Sequence, residues 1–212
     1  VGLIHGFFHL NSFLVSLAFM QVFRGVAKGL AEEKTVVAPE SPLSLLMLVD
    51  PEPDWLMLAP GIWITLICAF LVHVLLTRTR IGKYVFAIGS NEKTAVLCGV
   101  NVPRYRLLFF LISGFFVGLA GVLQFGNLTV GDPSAGHGYE LDLIAACVLG
   151  GASLKGGTGS VTGTMVGALA MAVLRNGCNM MGIPTWVQEI LIGAVILAVV
   201  GMDQLKLKSR AA

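Results

Sequence analysis

Uncharged apolar runs alternate along this chain with short charged stretches, and the run lengths are those of membrane helices. Leu56 to Leu76 holds 21 residues without a formal charge, and Leu107 to Val130 holds 24. At 1.5 Å per residue these make helices of roughly 31 and 36 Å, enough to cross a hydrocarbon core of about 30 Å. Further on, Leu143 to Leu154 has 12 uncharged residues, Gly156 to Leu174 has 19, and a last run covers Ile190 to Met202. The run from Leu143 reaches only about 18 Å as a helix. It is either a short helix completed by buried irregular backbone or a re-entrant element, because non-helical backbone at membrane depth must be sheltered by protein or line a cavity. Val1 to Phe23 is uncharged but interrupted by His5, His9, Asn11 and Gln21. It has no basic stretch leading into a short apolar core and cleavage site, so it is not a signal peptide. It reads as one and a half apolar segments cut into at the start, and we expect a chain lacking its beginning.

Charge orients the runs. Arg78 to Arg106 carries Arg78, Arg80, Lys83, Lys93, Arg104 and Arg106 against the single acid Glu92, a balance of +5. Such an excess marks a cytoplasmic loop. On the other side of the first long run, Ala31 to Trp55 holds Glu32, Glu33, Glu40, Asp50, Glu52 and Asp54 against Lys34, a balance of -5. Pro39, Pro42, Pro51 and Pro53 break any regular helix there, and this segment is expected outside. Its apolar piece Leu43 to Val49 is too short to span. The second long run climbs outward to the turn-forming Gly131-Asp132-Pro133, and Lys206, Lys208 and Arg210 place the end of the chain inside. An inner loop and an inner tail require an even number of crossings, which holds if the Tyr139 region crosses and fails if it re-enters.

Composition agrees with the pattern. The chain is 56% hydrophobic and 12% charged, with mean hydropathy +0.84, against about 25% charged residues in soluble domains. A net charge of +2, with the basic residues at span ends, speaks against a nucleic-acid partner. Cys68, Cys98, Cys147 and Cys178 are scattered, with no Cys-x-x-Cys pair, and read as small buried side chains. His5 and His9 have the spacing of a metal pair on one helical face but no nearby Cys or carboxylate. Gly114-x-x-x-Gly118 and Gly163-x-x-x-Gly167 each put two glycines on one face, where close van der Waals approach supports helix association.

Two blocks of residues carry a resemblance. Gly82-Lys83-Tyr84-Val85-Phe86-Ala87-Ile88-Gly89-Ser90-Asn91-Glu92, followed by Ala95 and Gly99-Val100-Asn101-Val102, resembles the coupling segment of the ribose-type sugar permeases of bacterial ABC importers. Gly138-Tyr139-Glu140-Leu141-Asp142 and Gly150-Gly151-Ala152-Ser153-Leu154-Lys155-Gly156-Gly157 resemble that family's second signature. The resemblance runs from about Phe13 to the end and is poor over Leu30 to Trp55. It implies an all-α, polytopic integral membrane helical bundle with one short or discontinuous helix, a single permease domain over residues 1–212 with a cytoplasmic coupling loop at 78–106. It also implies a transport subunit rather than an enzyme, working with two cytoplasmic ATPase subunits, a second permease subunit and an external sugar-binding protein in the bacterial inner membrane. No Gly-x-x-x-x-Gly-Lys-[Ser/Thr] is present, so nucleotide binding is not expected here, nor is a cofactor.

The coupling residues implied are Gly89, Asn91, Glu92, Ala95 and Gly99. Physically, a short helix from about Asn91 to Cys98, capped by Asn91, with Glu92 in its first turn and Gly99 past its end, makes a knob that seats in a partner's groove. The sequence departs from the general Glu-Ala-Ala-x-x-x-Gly pattern, having Glu92-Lys93-Thr94 and its glycine one residue late. For the solute pathway the polar candidates are Gln124, Asn127, Glu140, Asp142, Asn176 and Asn179, with Asn11, Gln21 and His73 behind them. Polar groups at membrane depth face an interior or a cavity, and for each the plainer role is a helix-to-helix hydrogen bond. Glu140 and Asp142 pair with bases, cap the short helix or relay protons, and capping is the plain choice. An ion-coupled transporter using Glu140, Asp142 or Glu189 is the competing mechanism, with permeases for nucleosides or branched-chain amino acids as further options. An intramembrane serine protease is disfavoured because no Gly-x-Ser-Gly occurs.

Overall fold

The computed structural model describes residues 12–37, 59–154 and 156–211. Within them the chain is all-α: eight helices, with one pair of two-residue strands. His5, His9, Asn11 and the run Leu43 to Val49 lie outside the described residues. The chain divides into two compact units, residues 1–71 with 99–135 and residues 72–98 with 136–212.

In the first unit, α1 (Ser12–Leu30) is followed by β1 (Val36–Val37), α2 begins at Pro60, and α5 (Val102–Leu128) leads into β2 (Val130–Gly131). α2 runs Pro60–Arg78 and enters the second unit near its end. Proline suits its first position, where the missing N–H has no intrahelical partner to lose. α5 has 27 residues, about 40 Å, and starts five residues before the apolar run predicted it would. The cause is local: the Asn101 side chain accepts from Arg104 N–H at 3.3 Å, and Pro103 presets the first turn. Arg104 and Arg106 therefore lie on the helix, not before it. α5 ends at Thr129 in the left-handed region, φ 54°. β1 and β2 pair antiparallel, Val36 with Gly131 and Val37 with Val130, a link the sequence pattern does not announce.

α2 and α5 are long and apolar enough to cross a membrane, and only 6% and 0% of their apolar windows are buried. A soluble protein's core helix of that composition would be enclosed, so these faces are built for a non-aqueous surround. Val166, Leu169 and Val173 repeat the pattern as an exposed stripe on a later helix.

The second unit contains α3 (Arg80–Ser90), α4 (Glu92–Leu97), α6 (Tyr139–Leu149), α7 (Val161–Met180) and α8 (Thr185–Ala211). Residues 78–106, expected as a loop, are thus mostly helical. The short helix foreseen near Tyr139 is α6, with 11 residues. Ala145 and Ala146 of α6 pack on Met171 of α7 and Ile192 of α8, with Leu174, Val195 and Ile196 around them. Of the two Gly-x-x-x-Gly faces, only one is used among the described residues. A Cβ on Gly163 would strike the Gly150 carbonyl and one on Gly167 the Ala146 carbonyl, whereas Gly114 and Gly118 have nothing within 4 Å. The pairing of Ala146 with Gly167 and of Gly150 with Gly163 makes α6 and α7 antiparallel.

Candidate functional site

The segment between α2 and α5 is a helical corner leading into a short knob. Thr79 makes the corner. Its hydroxyl donates to Leu75 O at 2.6 Å, closing α2, and accepts from Gly82 N–H at 3.3 Å, opening α3. A Cβ on Gly82 would collide with the Leu76 backbone, so the chain can turn this tightly only at glycine.

α3 ends at Asn91, whose backbone N–H still donates to Ala87 O while its side chain accepts from Thr94 N–H at 3.1 Å. One residue thus closes α3 and caps α4. Glu92 occupies the first turn of α4, where a carboxylate complements the helix dipole. Past the end, Gly99 takes φ +80°, a conformation that glycine adopts without strain. The expected cap, acid and stop are all at those positions. Removing the cap by Asn91→Ala is expected to cost about 1 kcal/mol of local helix stability, seen as faster amide exchange at Thr94. Unchanged exchange there would mean that packing alone holds α4.

The five residues expected to couple the chain to a partner serve different structural ends. Ala95 is 5% exposed and turns inward. Gly89 sits on the backbone of the Gly156-Gly157 turn: a Cβ there would lie 2.7 Å from Gly157 N. Asn91 and Gly99 shape the ends of α4. Asn91, Glu92 and Gly99 are exposed, and Lys93, Val96 and Leu97 share the outward face with them, Leu97 being 87% exposed. Sequence reasoning missed Lys93, Val96 and Leu97 because the phase of a six-residue helix cannot be read from six residues.

The polar candidates fall into separate places. Asp142 and Arg175 form an ion pair at 2.5 Å between α6 and α7, and the guanidinium lies over the Tyr139 ring at 5.5 Å from its centroid. Asp142 therefore pairs with a base while also lying, with Glu140, in the first turn of α6 as expected, although the N-cap position itself is Gly138 with no side-chain cap bond. Glu140 is half-buried in the same first turn. Asn179 Oδ1 accepts from Gln188 Nε2 at 2.9 Å, and that nitrogen also donates to Ile183 O at 2.9 Å. Gln188, 7% exposed, is the buried polar residue that sequence reasoning did not single out; it ties the α7–α8 turn together. Asn176 is exposed and reaches only Met180 Sδ at 4.0 Å on its own helix. Gln124 and Asn127 lie on α5 in the other unit, half-buried and exposed. His73 is half-buried and Gln21 exposed. The described residues contain no group of three or more His, Cys, Asp or Glu side chains able to hold a metal.

Comparison with known proteins identifies the architecture. The sequence pattern of the branched-chain amino acid transport system permease component matches residues 1–200. The chain belongs to that permease family. This permease is 35% identical over 201 residues to the L-arabinose transport system permease protein AraH of Escherichia coli (strain K12), covering 95% of the chain and 60% of AraH. It is 41% identical over 156 residues to the ribose import permease protein RbsC of the same strain, covering 74% of the chain and 46% of RbsC. With the xylose transport system permease protein XylH, also of that strain, it shares 50% identity over 127 residues, 60% of the chain and 32% of XylH. The permease thus spans about 60% or less of the length of these relatives. No solved structure matches it. Family membership settles the all-α membrane fold, and the exposed apolar faces of α2, α5 and α7 are its lipid-compatible surface.

Proposed function

We propose that this permease is the membrane-spanning subunit of a bacterial ATP-driven importer that moves a monosaccharide by alternating access. The observation that carries the reading is the similarity over 95% of the chain to a relative named for L-arabinose transport, with relatives named for xylose and ribose beside it. Energy comes from partner ATPases, because no phosphate-cradling lysine loop exists here. A second permease subunit and an external sugar-binding protein complete the assembly in the inner membrane.

α4 is the part that meets the ATPase. An 87% exposed leucine beside Lys93, on a capped helix with Ala95 turned inward, suits a knob seated in a partner groove. Burying one leucine contributes about 1.5–3 kcal/mol, so Leu97→Asp is expected to weaken assembly with the ATPase by about tenfold or more. Gly99→Trp, which forces a bulky residue into φ +80°, is expected to do the same. Full recovery of the complex in both variants would remove α4 from the interface.

The layout also supports a topology. Arg78 to Arg106 lies inside, and α5, about 40 Å long, carries the chain outward. By Gly156 the chain is again packed on Gly89. The Tyr139 region would then cross, as α6 plus the irregular backbone that flanks it, rather than re-enter. α7 and α8 return the chain to an inner end bearing Lys206, Lys208 and Arg210.

The test is uptake of labelled L-arabinose, xylose and ribose into proteoliposomes that contain the permease, its ATPase and its binding protein with trapped ATP. ATP-dependent uptake requiring all three components is expected. Uptake that ignores ATP and collapses with an ion gradient would replace the importer by an ion-coupled carrier.

A further inference from the structure

The two sequence blocks of the permease meet at a backbone joint, and the proposed coupling route runs through it. A Cβ on Gly89 would lie 2.7 Å from Gly157 N, one on Gly156 would lie 2.8 Å from Gly89 O, and one on Gly157 would lie 2.8 Å from Ser90 Cα. The end of α3 and the Gly156-Gly157 turn are therefore in contact mainly through main chain, with only the Ser90 Cβ, 2.9 Å from a Cβ on Gly157, beside it. The turn is stiff on its own account. Ser153 N–H donates to Thr158 O at 3.1 Å and Gly156 N–H to Ser153 O at 3.0 Å. Two residues on, the Ser160 hydroxyl accepts from Gly163 N–H at 3.0 Å and starts α7. Gly163 in turn rests on the Gly150 carbonyl of α6.

A contact made by long side chains absorbs displacement in rotamer changes, whereas close-packed backbone has no such slack and transmits strain. We infer that Gly89, Gly156 and Gly157 form a rigid joint that passes displacement of α4 directly to the start of α7 and the end of α6, in parallel with the covalent routes through α2 and α5. These glycines act through the helices they hold; they are positioning residues for the transport cycle. The inference rests on the importer reading above.

The experiment measures solute moved per ATP hydrolysed in the reconstituted complex, together with ATPase recovery in the complex. Gly89→Ala inserts a wedge into the joint at a helical position where alanine is otherwise favourable. Gly151→Ala introduces a residue at φ +86° with nothing within 4 Å, so it carries backbone strain without a wedge. The expected result is a ratio at least about fivefold lower in Gly89→Ala, the lower edge of ordinary coupling effects, with complex recovery near wild type. Gly151→Ala should keep its ratio. An unchanged ratio in Gly89→Ala, or a loss fully explained by poor complex recovery, would overturn the joint. Should the wedge prevent folding, a short thiol cross-link between Ser90→Cys and Thr158→Cys, in a Cys98→Ser background, decides instead. A joint that moves as one body tolerates the link, and transport that stops on cross-linking would overturn it. Failure of the wild-type complex to show ATP-dependent uptake would count against the importer reading and not against the joint.

Discussion

Gly167→Leu is expected to prevent recovery of folded permease, while Gly118→Leu, the same change in the other Gly-x-x-x-Gly sequence, is expected to leave it folded. At Gly167 a Cβ already falls on the Ala146 carbonyl, and 3.1 Å away is Gly150 N. The neighbour is backbone of α6, so no rotamer can make room; the two helices must part. Overpacking a side-chain core costs about 1–3 kcal/mol, and a clash with main chain should exceed that range. Separating α6 from α7 also uncovers Ala145 and Ala146, the centre of the small core shared with Met171 and Ile192. Against a total stability of about 5–15 kcal/mol for a folded domain, that loss is decisive. Gly118 meets nothing within 4 Å in the described residues, so its substitution should shift stability by no more than about 0.5 kcal/mol. Monodisperse yield and thermal melting in detergent compare the two. Equal behaviour would show that the α6–α7 contact does not hold the second unit together.

That pair of glycine motifs also shows what the sequence carries and what it leaves open. Both motifs read alike, since helical spacing places glycines on a face but says nothing of which helix comes to meet it. The long apolar runs translate directly into α2, α5 and α7, because length and lack of charge suffice. Their ends do not, because the charge-free stretch stops at Arg106 whereas the helix starts where Asn101 caps it. Capping chemistry is local, which is why Asn91, Glu92 and Gly99 fix α4 from sequence. Burial is not local. Ala95 turns inward and Leu97 outward because of what α4 packs on, and Gly89 faces Gly157 because two distant turns converge. The β1–β2 link joins two-residue segments too short to show any alternation. Gln188 reads as an ordinary polar residue until the α7–α8 turn brings it to Asn179 and Ile183.

At the other end of the α6–α7 pair from the Gly150–Gly163 contact, Asp142 and Arg175 set the register with charge where glycine sets it with close approach. Each is expected to be far more costly to lose alone than together with its partner. Their side chains are 18% and 37% exposed, and Asp142 Oδ1 and Arg175 Nε are buried without a hydrogen-bond partner. The 2.5 Å contact and the Tyr139 ring are thus the compensation for bringing both charges in. Removing one partner of a buried pair costs about 3–5 kcal/mol, because the survivor stays buried and uncompensated. Arg175 is partly exposed, so Asp142→Leu and Arg175→Met should each cost somewhat less, about 2–3 kcal/mol. The double variant should recover to within about 1 kcal/mol of wild type, since apolar replacements of a buried pair are near neutral. Melting of the four proteins closes the cycle. Losses that simply add would mean the pair does not couple α6 to α7. Uptake adds a separate reading: a double variant that folds and transports confines the pair to holding α6 on α7. One that folds and fails to transport makes Asp142 or Arg175 part of the solute pathway itself.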